Sequence, residues 1–249
     1  MIASIQLRSK IIKVDLSKPL DISIPIRDGE ENVNAWYVGP PKMKPYTDGE
    51  FTGSVREGFA VNFYKFEFIP HSHGTHTECV GHITEKVHSV NTNLKQYFHL
   101  AELITVAPEK LGDDFVISSK QIRYALRNKK REALIIRTLP NMLQKRSQQY
   151  SNTNPPYLLE EAAQYLASKG IKHLLIDLPS LDREQDEGAL LAHRAFWNMQ
   201  GKIRYDATIT EFIYVDNSIQ DGTYLLDLQL APFENDASPS RPVLYEPIQ

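Results

Sequence analysis

The chain has 249 residues, 41% hydrophobic and 24% charged, a balance that suits a globular protein with a buried core. Its net charge of −3 argues against nucleic acid or an anionic membrane surface as a partner. A single cysteine, Cys79, excludes an intramolecular disulfide and fits a reducing cytoplasm.

Residues 1–14 carry charges at Arg8, Lys10 and Lys13 and no sustained apolar run, so no signal peptide is expected. No apolar stretch approaches the ~20 residues that span a bilayer. A first strand is predicted over residues 11–16. Pro19 and Pro25 make the next segment extended or turning. Residues 27–58 form a long irregular segment rich in Gly, Pro, Asn and charge. Its aromatics Trp36, Tyr37, Tyr46 and Phe51 either line a pocket or pin the loop to the core. Residues 61–69, dense in aromatic and β-branched side chains, read as a strand that ends at Pro70.

Ser118 or Ser119 caps a predicted helix through Ile122, Ala125 and Leu126, and the basic run at 127–131 complements its dipole. Residues 133–138 are a strand, and 141–156 a polar loop. Residues 158–168 are a helix stopped by Gly170, and 171–178 a strand with the apolar run of one buried on both faces. This strand–helix–strand order implies a right-handed parallel crossover. A third helix over 189–199 and strands over 208–215 and 224–231 follow, then a proline-rich polar tail from 232. With no repeat or linker, the pattern gives one α/β domain over residues 1–249.

The chemistry concentrates between His71 and His82. That stretch holds His71, His73, His76 and His82 (four of the eight histidines), together with Glu78 and Cys79. Imidazoles and a carboxylate make an N/O donor set for zinc, manganese or iron(II). In extended backbone, residues two apart share a side. His71 with His73, and His76 with Glu78, form such pairs, and a bend at Gly74 aims both at one point. Cys79 reads as a small buried apolar residue, with thiolate ligation the lesser alternative. His193, mid-helix among apolar neighbours, reads as a core histidine or a ligand. Glu211 opens an apolar run, where it either faces solvent or offsets its burial by pairing with a metal. Asp177 ends a buried strand, with Ser180 and Asp182 in the loop beyond; this loop touches substrate, supports a ligand or simply turns.

The segment Gly74-Thr75-His76-x-Glu78-x-Val80-x-His82 resembles the hallmark His-x-Gly-Thr-His-x-Asp-x-Pro-x-His of the cyclase-like metal-dependent hydrolases, the group of bacterial kynurenine formamidase and isatin hydrolase. The resemblance extends to Val14-Asp15-Leu16-Ser17, to Leu190-Leu191-Ala192-His193, to Ile209-Thr210-Glu211, and to Arg241-Pro242-Val243 as a C-terminal strand. It implies a swivelling β/β/α fold, a mixed barrel-like sheet with flanking helices. It also implies His76, Glu78, His193 and Glu211 as ligands to one or two divalent ions, zinc first and manganese second, with His82 as the catalytic proton carrier. The chain departs from the pattern at Ser72, where the family has its first histidine, at Glu78 in place of Asp, and at Val80 in place of Pro. His71 or His73 can take the vacant ligand role, and His71 is favoured.

The implied reaction is hydrolysis of an amide or related acyl C–N bond by metal-activated water, with Trp36, Tyr37 and Asp177 contacting a small, aromatic substrate. A polyketide-type cyclase or dehydratase on the same scaffold, or a non-catalytic metal- or ligand-binding protein, are the alternatives. A homo-oligomer is expected from the resemblance.

Overall fold

The computed structural model describes residues 1–7 and 10–248; Arg8, one of the charges read against a leader, and Gln249 lie outside them. Seven strands close a mixed barrel: β1 (His76–Glu78), β2 (Phe98–Val106), β3 (Ala133–Thr138), β4 (His173–Ile176), β5 (Thr208–Glu211), β6 (Gly222–Leu230) and β7 (Ala237–Tyr245). Their order is β6-β2-β3-β4-β5-β1-β7, and β7 returns to pair with β6. Strands β2 to β5 run parallel. The remaining pairs are antiparallel. Four helical segments position the site: α1 (Pro70–His73), α2 (Ser119–Leu126), α3 (Glu160–Ser168) and α4 (Leu191–Phe196).

Side-chain alternation divides the core into two layers. Ala133 and Ile135 of β3 pack with Leu175, Leu226, Leu228 and Leu244 from across the barrel, filling its interior. Leu134 and Ile136 point outward, onto Ile122, Ala162, Leu166 and Phe196 of the helices. Both faces of β3 and β4 are covered, so their continuous apolar runs are what burial requires. The predicted crossover from β3 through α3 to β4 is present, in parallel register. Ser118 caps α2, its N–H donating to Gln121 Oε1 (3.0 Å). Gly170 ends the α3 turn at φ +76°, a left-handed conformation that glycine adopts freely.

The structure departs from or adds to the expected elements in several places. The strand expected at 61–69 shrinks to Tyr64–Glu67, which pairs with Lys42–Pro45 in an exposed ribbon outside the barrel. Tyr64 and Phe66 share one face and Lys65 and Glu67 the other, and all four remain exposed because the ribbon does not pack on the barrel core. The C-terminal strand that the resemblance implies at Arg241-Pro242-Val243 is present as part of β7, which closes the barrel although composition alone reads the tail as polar and proline-rich. Strand β2 is not among the expected strands; buried Glu102 interrupts its otherwise apolar run of Leu100, Ala101, Leu103 and Ile104. Arg131 Nε (3.0 Å) and Lys129 bind that carboxylate, so the basic run after α2 neutralises a buried charge as well as ending a helix. The helix expected at 189–199 is limited to α4. Among the described residues, no helix is long and apolar enough to cross a membrane.

Candidate metal centre

The site is built on the outer face of β1 and β5. Their antiparallel register sets His76 opposite Glu211 and Glu78 opposite Ile209, so His76, Glu78 and Glu211 face the helical layer. Thr77 and Thr210 face the other way, where their hydroxyls meet at 2.8 Å. Thr75 anchors the approach to β1. Its Oγ1 accepts the Ile24 N–H (2.7 Å) and its hydroxyl donates to the Phe212 carbonyl. Gly74 is required beside it, because a Cβ there would lie 2.9 Å from Ile26 Cγ1 and 3.1 Å from the Ile24 carbonyl.

Residues 70–73 are helical rather than extended, and this separates His71 from His73. His73 is structural: its Nδ1 accepts the Ile69 N–H (2.9 Å) and its Nε2 donates to the Gly39 carbonyl (3.0 Å). Burial holds it toward the neutral form. His71 turns into the cluster, with Nδ1 3.1 Å from Glu78 Oε2 and Nε2 2.9 Å from Asp236 Oδ2. Burial opposes a charge on His71, but the bonds to Asp236 and Glu78 outweigh it and raise its pKa to about 10.

Helix α4 supplies His193, whose Nε2 lies 3.1 Å from Glu78 Oε1 and 3.6 Å from Glu211 Oε1. Asp182 holds this helix and its histidine together. Its carboxylate accepts the Ala192 N–H (2.7 Å), the His193 N–H (3.1 Å) and the His193 ring at Nδ1 (2.6 Å). The His193 Nδ1 proton therefore faces Asp182, and Nε2 faces the carboxylates. His82 stands at the rim, the most exposed histidine of the cluster, with Nδ1 3.4 Å from Asp236 Oδ2 and Nε2 3.9 Å from Glu78 Oε2.

The structure thus gathers His71, His76, Glu78, His82, His193 and Glu211, and adds Asp236, which sequence reasoning missed. Asp236 sits in the polar tail, far along the chain from the histidines, and no spacing rule links it to them. Three triads within this set have ligand atoms mutually within 4.8 Å: His71–His76–Glu78, Glu78–His82–His193 and His71–His82–Asp236.

The donor chemistry fits a divalent cation. A carbonyl only accepts, so the contact of His76 Nδ1 with the Gly74 carbonyl (3.1 Å) puts the ring proton on Nδ1. The Nε2 lone pair then faces Glu211 Oε2 at 3.4 Å, and no hydrogen bond satisfies this buried nitrogen. Two electron-pair donors facing each other in a buried site call for a positive charge between them. Glu78 Oε2, fully buried, likewise makes no aligned hydrogen bond. Among the described residues, the ion pairs of Glu78 and Glu211 are all with histidines and none is with lysine or arginine. Burial pushes the Glu78 carboxyl up, yet His82, His193 and His71 together hold it well below the usual range. Burial raises the Cys79 thiol to about 11, and its Sγ donates to the His88 carbonyl (3.3 Å), so Cys79 is a packed thiol.

A cavity of about 360 Å³ opens over the cluster, with His71, His82, His193 and Glu211 at its base and Trp36 and Leu190 in its walls. Trp36 is fixed by its Nε1 bond to the His71 carbonyl (3.0 Å). Tyr37 and Asp177, expected to touch substrate, lie elsewhere. The Tyr37 hydroxyl donates to Glu184 Oε1 (2.7 Å) outside this cavity. Asp177 is buried with both oxygens committed to Lys145 Nζ (2.8 Å) and to the backbone and hydroxyl of Thr138. A larger cleft of about 700 Å³, around Arg146, Tyr214 and Arg241, contains none of the cluster. Its size is no argument for catalysis without convergent reactive groups.

A closed mixed barrel carrying a histidine–carboxylate cluster on the face of two neighbouring strands defines the class. The chain belongs to the Cyclase family, described as "Putative cyclase", whose profile matches residues 14–183. It is 26% identical over 231 residues to a kynurenine formamidase of Bacillus cereus (strain ATCC 14579), covering 92% of this chain and 97% of that protein. Among solved structures, a potential metal-dependent hydrolase with cyclase activity superposes with a TM-score of 0.66 at 19% identity, covering 92% of this chain and 97% of the other. An isatin hydrolase bound to the product analogue thioisatinate gives 0.65 at 15% identity, covering 93% of each chain. These superpositions establish the shared fold.

Proposed function

We propose that this protein is a metal-dependent amidohydrolase that cleaves a formamide- or lactam-type acyl C–N bond of a small aromatic molecule. The observation that carries this reading is the opposition of His76 Nε2, which has no hydrogen-bond partner, to the carboxylate oxygen Glu211 Oε2, beside buried Glu78 and beneath an apolar cavity. The similarity to kynurenine formamidase and isatin hydrolase supports the choice of bond.

His71, His76, Glu78, His193 and Glu211 would hold one or two divalent ions, zinc in preference to manganese for this imidazole-rich set. A divalent ion supplies Lewis acidity to a carbonyl and brings the pKa of water toward ~7. The protein residues do the rest. Trp36 and Leu190 exclude bulk water and seat a planar group. His82, at the rim between Asp236 and the cavity, takes a proton at Nε2 and returns it to the departing nitrogen.

A lone, buried, unpaired cysteine supports a reducing, cytoplasmic location. The exposed aromatic ribbon around Phe63, Tyr64 and Phe66 supports a homo-oligomer, since an isolated two-stranded ribbon is marginal in water.

The test is metal content after purification, followed by a panel of N-formyl arylamines and lactams assayed before chelation, after chelation and after reloading with zinc or manganese. Stoichiometric metal and turnover lost and regained with it are expected. Metal without turnover on any amide would leave a binding protein or a carbon-acid cyclase. No stoichiometric metal would end the proposal.

A further inference from the structure

Asp236 reaches both a ligand-candidate histidine and the rim histidine, from the side away from Glu78. Its Oδ2 lies 2.9 Å from His71 Nε2 and 3.4 Å from His82 Nδ1. The two rings lie side by side, centroids 4.2 Å apart and 30° from parallel. Building on the metal-hydrolase reading, we propose that Asp236 is the positioning residue of this centre: one carboxylate oxygen fixes the orientation and tautomer of both His71 and His82.

Each histidine has two ring nitrogens, and only one can serve the reaction. A carboxylate oxygen accepts, so the nitrogen facing Asp236 carries the proton. For His71 that nitrogen is Nε2; Nδ1 faces Glu78 Oε2 (3.1 Å), where a cation held by the cluster would take the place of the second ring proton. For His82 it is Nδ1, which leaves the Nε2 lone pair on the side of Glu78 and the cavity. Without Asp236, His82 is free to flip or to exchange tautomers, because it is the most exposed ring of the cluster.

The main chain of Asp236 is itself fixed by backbone pairing. The Asp236 carbonyl accepts the Cys79 N–H (3.0 Å), and the next residue, Ala237, is in register with Glu78. The pairing of β7 with β1 therefore places Asp236 one step from the ligand strand. Asp182 does the equivalent for His193, so two carboxylates support the three rings.

The experiment compares wild type with Asp236→Asn, Asp236→Ala and Asp236→Glu. Zinc affinity is measured by competition with a chromophoric chelator, and kcat and KM on an N-formyl arylamine that wild type hydrolyses. Histidine ring tautomers are read by ¹⁵N NMR in wild type. For Asp236→Asn, zinc binding should weaken by about 10–100-fold while the number of ions bound at saturating zinc stays the same. In the same zinc-saturated variant, kcat should fall by roughly 10-fold or more with KM little changed. Asp236→Glu should recover part of both losses.

Wild-type affinity and kcat in the Asn and Ala variants would overturn the proposal. So would loss of a whole ion at saturating zinc, which would make Asp236 a ligand. If the Ala variant fails to fold, the near-isosteric Asn variant and the wild-type spectrum remain decisive; a wild-type His82 protonated at Nε2 alone contradicts the assignment. Wild-type protein with no zinc affinity sinks the parent reading instead, while its ring tautomers still test the role of Asp236.

Discussion

Glu78 is a full carboxylate with no access to solvent, and three imidazoles hold it in the charged form. Glu78→Gln keeps the volume and removes the charge, so zinc content measured after dialysis should fall to a small fraction of wild type. Unchanged zinc content would remove Glu78 from the ligand set. His82→Ala should do the reverse. Zinc content should be retained, and turnover at saturating substrate should fall by about 10²–10⁴-fold, the usual contribution of a positioned proton carrier. Loss of zinc in that variant would recast His82 as a ligand. At this scale the sequence exposed most of the chemistry, because His76, Glu78 and His82 lie in one short segment. It left His71 and His73 undecided, because the alternation rule assumes extended backbone and the chain is helical over Pro70–His73. Asp177 misled for a related reason: a carboxylate ending a buried strand looks reactive until Lys145, distant in sequence, is seen to neutralise it.

Short elements depend on close approach, and Gly81 shows how closely. A Cβ at Gly81 would sit 2.2 Å from the His88 carbonyl and 3.2 Å from Asp236 Cβ. The first atom is backbone and cannot rotate away. Gly81→Ala should therefore lower stability by about 1–3 kcal/mol, as overpacking generally does, and push β7 off β1. Thermal melting of the metal-free protein and zinc affinity should both decline. A variant with wild-type melting and wild-type affinity would mean that the 80–88 segment yields without disturbing Asp236. The elements that sequence patterns caught, β3, β4, α2 and α3, are those whose partners are apolar or local. Strand β2 escaped because its buried charge is met from a distant loop, and β7 was legible only through the resemblance at Arg241-Pro242-Val243. Glu102 of β2 is neutralised from the loop after α2, and the prolines of β7 sit in a strand that changes partners along its length. The ribbon at Tyr64–Glu67 was over-read for the converse reason, since aromatic density marks a strand but not what covers it.

Across the whole molecule, the barrel keeps two histidine groups apart. The candidate metal centre lies by Glu211, the last residue of β5. His99 and His173 lie at the opposite end, where His173 is paired with Thr208, the first residue of β5. Their rings are 4.0 Å apart and both are buried. Burial lowers the pKa of each below the ordinary 6.5, and for His173 a charge on His99 or Lys172 lowers it further. Below the ordinary pKa the unfolded chain therefore binds protons that the folded chain resists, and stability rises with pH through that window. The stabilisation is complete above about pH 6.5 and is lost as pH falls toward the depressed folded values. The raised histidines of the metal centre cannot mimic this, because a group held above its ordinary pKa stabilises fully on the acid side and loses that contribution only as pH rises. Metal-free protein should thus melt at progressively lower temperatures as pH falls from roughly 6.5 to 5. His173→Gln removes one of the two resisting rings while keeping a group able to bond Thr208. Its melting temperature should fall less steeply over the same interval, whatever its absolute stability. Parallel slopes for the two proteins would show that the acid sensitivity arises elsewhere and that this buried ring pair is protonated with the same ease in the folded chain as in the unfolded one.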